Sequence, residues 1–236
     1  MLIKVSIIIP VFNEENTIAS LIDKVRDIDL PGVEKEIIVV DDGSSDQTQK
    51  ILQHMQGIHY FSHSVNQGKG AALKTGIRQS TGDIILLQDA DLEYDPEDYR
   101  NILKPLLEGK VEFVMGSRFI HKNLEIIIKN GIPLLSHYIG NKLIIWLTNF
   151  LYEQKNTDYE GCYKAFTRKI AKSIHIKTNG FAFDNELICK VLRLGYKILE
   201  IPIQYMPRAY SEGKKIKCKD GLVILWTIIK WRFMSI

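Results

Sequence analysis

Asp89 and Asp91 flank a single alanine, Ala90, directly after the apolar run Ile84–Leu87. In an extended or turning backbone, residues two apart share a side, so both carboxylates face one point. Like charges that close repel, and a divalent cation relieves them. Hard oxygen donors of this kind select Mg2+ or Mn2+, with ligand phosphates completing the shell. A solvated loop carrying two independent acids is the other reading. Asp41-Asp42, after Val40, has two readings as well. Its carboxylates can accept hydrogen bonds from a base or a ribose, or Asp42, Ser44 or Ser45 can cap the helix that follows. Gly68-Lys69-Gly70 precedes a helix and offers free amides and a cation, but it is neither a Walker A loop nor a G-x-G-x-x-G turn, and a simple loop–helix junction is the better reading of it alone. Gly116-Ser117-Arg118 supplies a cation suited to a phosphate, or a surface arginine. Arg208 through Lys215 places three cations around Gly213, which suits a loop closing over phosphates as well as a solvated charge run.

The elements that must position these groups alternate. Val5–Phe12, Glu36–Val40, Ile84–Leu87 and Val111–Met115 read as buried strands, with a shorter one near 58–61. Amphipathic helices fall between them, the first carrying Ile18, Leu21, Ile22, Val25 and Ile28 on one face. Asp95-Pro96-Glu97-Asp98 has the cap, proline and acids of a helix start. The β-α-β order predicts an α/β fold with a Rossmann-like, mainly parallel sheet and helices on both faces. Ligands of such sheets lie beyond the carboxyl ends of the strands. The polar clusters after Pro10, Val40, Leu87 and Met115 therefore belong on one rim. Past residue 119 the pattern predicts helices within 131–152, 183–194 and at the C-terminus, and strands within 162–166 and 196–205.

The 236 residues carry 45% hydrophobic and 25% charged side chains, which excludes collagen-like, disordered and repeat classes. A net charge of +3 is too mild for a nucleic-acid-binding protein. Three cysteines (Cys162, Cys189, Cys218) without a C-x-x-C pair argue against a disulfide framework or a thiolate zinc site and fit a reducing compartment. No apolar stretch reaches the ~20 residues of a membrane span, and the N-terminal run is too short for a signal peptide. A receiver domain shares an acidic pair and a lysine but has about half this length.

Taken in order, Ile9-Pro10-Val11-Phe12-Asn13-Glu14, Val40 to Asp46, Asn66 to Ala72, Asp89-Ala90-Asp91 and Gly116-Ser117-Arg118 resemble the motifs of family 2 glycosyltransferases with the GT-A fold. Asp158 to Gly161, Phe183 to Glu186, Glu200 to Ile203 and Arg208 through Lys215 resemble the polyprenyl-phosphate branch, typified by dolichol-phosphate mannose synthases. The resemblance implies one GT-A domain spanning 1–236. Residues 1–118 would be its nucleotide-sugar-binding half and 119–236 its acceptor half, with C-terminal amphipathic helices. It implies that Pro10, Phe12, Glu14, Asp41, Asp42 and Lys69 contact the nucleotide-sugar, and that Asp89 and Asp91 hold Mg2+ or Mn2+ against the diphosphate beside Ala90. Arg118, with Ser136 and His137, would place an acceptor phosphate. Arg208 and Lys214 would close over the phosphates, and Asp91, Arg118 and Arg208 would carry catalysis by inverting displacement.

A phosphate acceptor is already ionised and needs positioning, whereas a sugar hydroxyl would need a base, for which Glu93 and Asp95 are at hand. The sequence departs from the branch at Glu93, where relatives carry Gln. It departs again at Ser136-His137, with Lys142 beyond, where relatives place an Arg near a Ser. It also ends before the transmembrane helices that many relatives add. The expected reaction moves a hexose from a GDP- or UDP-sugar to polyprenyl phosphate, the alternatives being a sugar or polysaccharide hydroxyl acceptor and a nucleotide-binding module without turnover. The apolar segments 132–152 and 222–233, with Trp146, Trp226 and Trp231 among Lys and Arg, suit peripheral contact with the cytoplasmic face of a membrane, or packing on the sheet, and the two readings are compatible.

Overall fold

A computed structural model describes residues 2–120, 128–129, 132–133, 135–207 and 218–236. The loop holding Arg208 and Lys214 lies outside the described residues, as do the side chains of Ser136 and His137.

Strands β1 (Ile3–Val11), β2 (Val33–Asp41), β3 (His59–Ser62), β4 (Ile84–Leu87) and β5 (Phe113–Ser117) arise from the apolar runs. Helices α1 (Ile18–Asp27), α2 (Thr48–His54), α3 (Lys69–Gln79) and α4 (Tyr99–Leu107) connect them. A 3-10 turn, Pro96–Asp98, leads into α4, capped by the Asp95 carboxylate on the Glu97 amide at 3.1 Å. A short ladder, β6 (Ile128–Lys129) with β7 (Ile132–Pro133), precedes α5 (Leu135–Tyr152). Then come β8 (Lys164–Thr167), α6 (Arg168–Ser173), α7 (Phe183–Arg193), β9 (Ile198–Pro202) and α8 (Cys218–Phe233).

The main sheet runs β3-β2-β1-β4-β8-β5-β9. All neighbours are parallel except at β8, which runs antiparallel to both β4 and β5. The expected mainly parallel sheet is present, with β8 reversed in it, a direction the strand pattern of the sequence does not carry. Because β8 runs backwards, the segment before it, 157–163, emerges on the same rim as the carboxyl ends of β1, β2, β4 and β5. The nucleotide and acceptor halves expected from the sequence interleave in one sheet, since β8 separates β4 from β5.

Alternation along β1 sends Val5, Ile7, Ile9 and Val11 to one core layer, packed with residues of α1 and α4, and Ile8 to the other, packed with Leu73 of α3 and Phe183 and Leu187 of α7. A third cluster joins α5, α7 and α8 through Ile144, Cys189, Ile224, Ile228 and Trp231. Trp231 is turned inward, 2% exposed, with the Lys190 ammonium 3.6 Å from its ring centre. It therefore does not join Trp146 and Trp226 on the surface, as the sequence reading expected. Cation–π packing and burial hold it there.

Candidate active site on the carboxyl rim

At the end of β4, the buried Gln88 sets the turn. The Tyr99 and Tyr163 hydroxyls donate to its Oε1 at 2.6 and 2.9 Å, and its Nε2 donates to the Asp89 carbonyl at 2.9 Å. Asp91 Oδ1 accepts the Glu93 amide at 3.1 Å, and Leu92 takes the left-handed φ of 60°. This Asx-type turn holds the two carboxylates of the D-x-D on the rim.

Lys69, the first residue of α3, reaches the same point. Its Nζ lies 2.7 and 2.9 Å from the two oxygens of Asp89 and 3.9 Å from Asp184 Oδ2. Asp184 Oδ1 meets the fully buried Lys164 Nζ at 3.0 Å. Acid and base thus alternate along the rim from Asp89 through Lys69 and Asp184 to Lys164. Burial alone would lower the Lys69 pKa, but Asp89 and Asp184 outweigh it and hold the ammonium well above its ordinary value.

The glycines around Lys69 serve packing. The Gly68 N–H donates to Asp42 Oδ2 at 2.7 Å, and the Ala71 N–H to the Asn179 carbonyl at 3.0 Å. A Cβ at Gly68 would stand 2.5 Å from that carbonyl, and one at Gly70 2.8 Å from the Asn179 backbone. Asp42 thus takes the Gly68 amide, and the segment Thr178–Gly180 presses on the loop, which fits a loop–helix junction rather than free amides at Gly68. That segment is held by Glu186, which accepts from the Lys177 and Thr178 amides at 2.9 and 2.8 Å and from Lys190 at 2.6 Å.

Asp41 and Asp42 are engaged by the protein. Asp41 accepts the Ser44 amide at 3.1 Å and the Ser44 hydroxyl at 2.5 Å. Asp42 accepts the Gln67 amide at 3.0 Å and His63 Nδ1 at 2.7 Å, with His63 Nε2 paired to the Thr75 hydroxyl at 3.0 Å. His63 is not legible from the sequence, since a lone histidine in a polar loop carries no spacing signal. After β1, Pro10 is buried in the sheet and pairs with Val40. Phe12 lies half-buried beyond it, and Glu14 accepts the Thr17 hydroxyl at 2.7 Å. These positions share the rim with Asp89, as the sheet order predicts.

Arg118 is buried, and its Nε and Nη2 donate to the two Asp158 oxygens at 2.7 and 2.9 Å. Its guanidinium also lies 5.1 Å from the Tyr205 ring centre and 5.2 Å from that of Phe119. Burial would raise the Asp158 carboxyl, but Arg118 and two amides hold it below the ordinary range. Glu93 accepts the Tyr205 hydroxyl at 3.0 Å, while its carbonyl accepts the Met206 amide at 2.9 Å. The acid thus ties the D-x-D turn to the segment that enters the basic loop. Glu160, half-buried, accepts Asn185 Nδ2 at 2.7 Å, and burial raises its pKa against the pull of Asn185 and Lys164. Neither Lys164, Glu160 nor Asp184 was given a role from sequence. Each is a single charge whose partner is supplied by another element.

Asp89 and Asp91 suit a divalent cation that takes its remaining oxygens from a bound ligand. Among the described residues no group of three or more His, Cys, Asp or Glu is placed to hold a metal. Two carboxylates with ligand phosphates are the usual complement for Mg2+.

The profile described as "Glycosyl transferase family 2" matches residues 6–175, from β1 into α6. The chain belongs to glycosyl transferase family 2. This family 2 chain is 31% identical over 231 residues to the uncharacterized protein MJ1222 of Methanocaldococcus jannaschii, covering 96% of this chain and 91% of that one. It is 29% identical over 222 residues to glycosyltransferase AglJ of Haloferax volcanii, covering 93% and 69%. Its fold is that of glucosyl-3-phosphoglycerate synthase from Mycobacterium tuberculosis, solved with UDP, with a TM-score of 0.75 at 20% identity over 99% of this chain and 82% of the other. The same enzyme with Mn2+, UDP-glucose and phosphoglyceric acid gives 0.73 at 21% identity, over 99% and 81%.

Proposed function

We propose that this glycosyl transferase moves a hexose from a nucleoside diphosphate sugar to a polyprenyl phosphate by inverting displacement. Asp89 and Asp91 would hold Mg2+ or Mn2+, which when bound stabilises the charge developing on the leaving diphosphate. The rim after β1 and β2, with Phe12, Glu14 and Asp42, receives the base and ribose. Lys69 lies beside the diphosphate, and Arg208 and Lys214 of the basic loop close over it. An oxygen of the acceptor phosphate attacks the anomeric carbon, the bond from that carbon to the diphosphate oxygen breaks, and the nucleoside diphosphate leaves. The acceptor oxygen is already ionised, so no base is required and the work is positioning. Relatives solved with UDP-glucose and Mn2+ on this fold support the donor half of the reading.

The observation that carries the lipid half is an apolar face shared by α5 and α8. These helices pack side by side, burying Ile144 against Ile224 and Ile228. Their outer sides expose Leu143, Trp146 and Phe150 on one, and Leu222, Trp226 and Phe233 on the other, from 45% to 76%. The rings of Trp146 and Phe150 stack at 5.7 Å. Lys142, Lys219 and Arg232 stand exposed beside this face. Among the described residues no helix is long and apolar enough to cross a membrane. An apolar stripe with tryptophans and flanking cations suits the headgroup boundary of a bilayer, where a polyprenyl phosphate presents its charge. Ser136 and His137, at the start of α5, would meet that phosphate, with Arg118 holding the neighbouring loop through Asp158.

A hydroxyl acceptor is the second reading, and Glu160 favours it. Glu93 is engaged by Tyr205 and Asp95 caps the 3-10 turn; Glu160, which accepts from Asn185, is a half-buried carboxyl with a raised pKa beside the Arg118–Asp158 pair. The test is transfer of radiolabelled sugar to a short polyprenyl phosphate from GDP-mannose, UDP-glucose and UDP-N-acetylglucosamine, with Mn2+ and with EDTA. Label in the lipid fraction that EDTA and Asp89→Ala both abolish supports the proposal. Metal-dependent donor hydrolysis without lipid label, lost in Glu160→Gln, selects the hydroxyl reading.

A further inference from the structure

The Lys69 ammonium lies against Asp89, where a cation bound to that carboxylate would have to enter. It sits 2.7 and 2.9 Å from the two carboxylate oxygens, so both are claimed at once. On its other side Asp184 Oδ2 stands at 3.9 Å, a second acid already within reach. Asp184 is fixed by the fully buried Lys164 at 3.0 Å, and so does not follow if the ammonium moves. The root of the side chain is fixed too. Gly68 has a φ of +102°, and the Asn179 carbonyl lies on the first turn of α3. A flexible four-carbon stem on an immobile root, between a fixed acid and the D-x-D acid, has two places to rest.

We propose that Lys69 is a displaceable counter-ion that couples divalent-cation binding to diphosphate binding. Without metal it neutralises Asp89 and keeps that carboxylate aimed at the site. When a divalent cation takes Asp89, the ammonium leans toward Asp184 and is presented to the diphosphate. Metal alone must therefore displace an ion pair, whereas metal with a diphosphate gives the released ammonium a better partner. By linkage, each ligand raises the affinity for the other by the same factor. Lys69 is a positioning residue in this account, which rests on the nucleotide-sugar reading.

The experiment measures Mn2+ binding to the full chain through the electron paramagnetic resonance of free Mn2+, with and without UDP or GDP. Lys69→Met is expected to bind Mn2+ alone about tenfold more tightly and to lose about tenfold of the enhancement that the diphosphate confers, a factor of ten being a modest and readily resolved change in Kd. Lys69→Arg should retain part of that enhancement. Arg78→Met removes one positive charge from an exposed position on the same helix and should leave it unchanged. Thermal melting confirms that each variant is folded. If Lys69→Met binds Mn2+ alone no more tightly than the parent, the proposal is overturned. Tighter Mn2+ binding with the diphosphate enhancement intact overturns it as well, since removal of charge then explains everything. A parent chain that binds Mn2+ but no nucleoside diphosphate refutes the donor reading instead, and the Mn2+-only arm still decides whether Lys69 competes for Asp89.

Discussion

Arg118→Met removes the guanidinium paired with Asp158, a carboxylate with no exposed surface. The variant keeps two donors to that carboxylate, the amides of residue 118 and Glu160, each at 3.0 Å. Two amides do not replace a bidentate cation, and stripping one partner from a buried pair costs about 3–5 kcal/mol. For a chain of this size that corresponds to a fall in melting temperature of roughly 6–20 °C. The pH dependence carries a sign. In the parent the Asp158 carboxyl is held low, so its contribution is fully present above the ordinary carboxylate range and is lost only as pH falls through its depressed pKa. In the variant the unpaired carboxyl is raised by burial, so its penalty grows as pH rises from about 4 to 7. Urea unfolding of Arg118→Met at pH 4.5 and pH 7 reads both effects, and the loss should be larger at pH 7. Pairing the change with Asp158→Leu should recover much of the loss, because both charges then leave together. A loss below about 1 kcal/mol at pH 7, accompanied by lost transfer, would refute the reasoning and make Arg118 a group that faces ligand rather than one that holds the loop.

Three further outcomes are expected. Burial would raise the Glu36 carboxyl, but donors from Ser6, Thr81 and Lys4 bring it from 4.5 down to about 2. A depressed pKa stabilises above the unfolded value, so stability of the order of 2 kcal/mol should fade as pH drops from about 4.5 to 2, and Glu36→Gln should flatten that slope in acid titrations. Gly76→Ala places a methyl 2.3 Å from the Ile8 Cγ2, and overpacking of α3 against β1 should cost about 1–3 kcal/mol by denaturant unfolding. Replacing Trp146, Phe150 and Trp226 with Ser should abolish co-sedimentation with anionic lipid vesicles while leaving the melting temperature within a few degrees; unchanged co-sedimentation would remove the membrane surface from the proposal.

Much of the sheet and its carboxyl rim was legible in the sequence, for physical reasons. A strand buried on both faces, such as β1, must be a nearly unbroken apolar run, and a D-x-D at the end of such a run declares its rim. Direction was not legible in β8. Lys-Ala-Phe-Thr is four residues long and its first side chain is a lysine, which reads as solvated until Asp184, twenty residues later, is brought against it. The same limit hid the meaning of Gly68 and Gly70. A glycine before a helix fits a phosphate cradle as well as a plain loop–helix junction, and only the fold shows Asn179 filling the space. Trp231 read as a surface anchor because the lysine beneath it, Lys190, is itself buried by pairing with Glu186.

The reversed strand also bears on how the chain reaches its native state. β4 and β5 are not neighbours; β8 separates them, and its partners on β4 lie roughly eighty residues earlier in the sequence. A nascent chain that has left the ribosome only as far as Ser117 holds two strands with an open slot between them and unpaired amide and carbonyl edges on both. Closing that slot waits for a late four-residue segment, which makes folding non-local and slow relative to helical proteins of this length. During synthesis the slot is a place where another extended segment could bind, so the interval before β8 emerges is the chain's period of greatest exposure to mispairing.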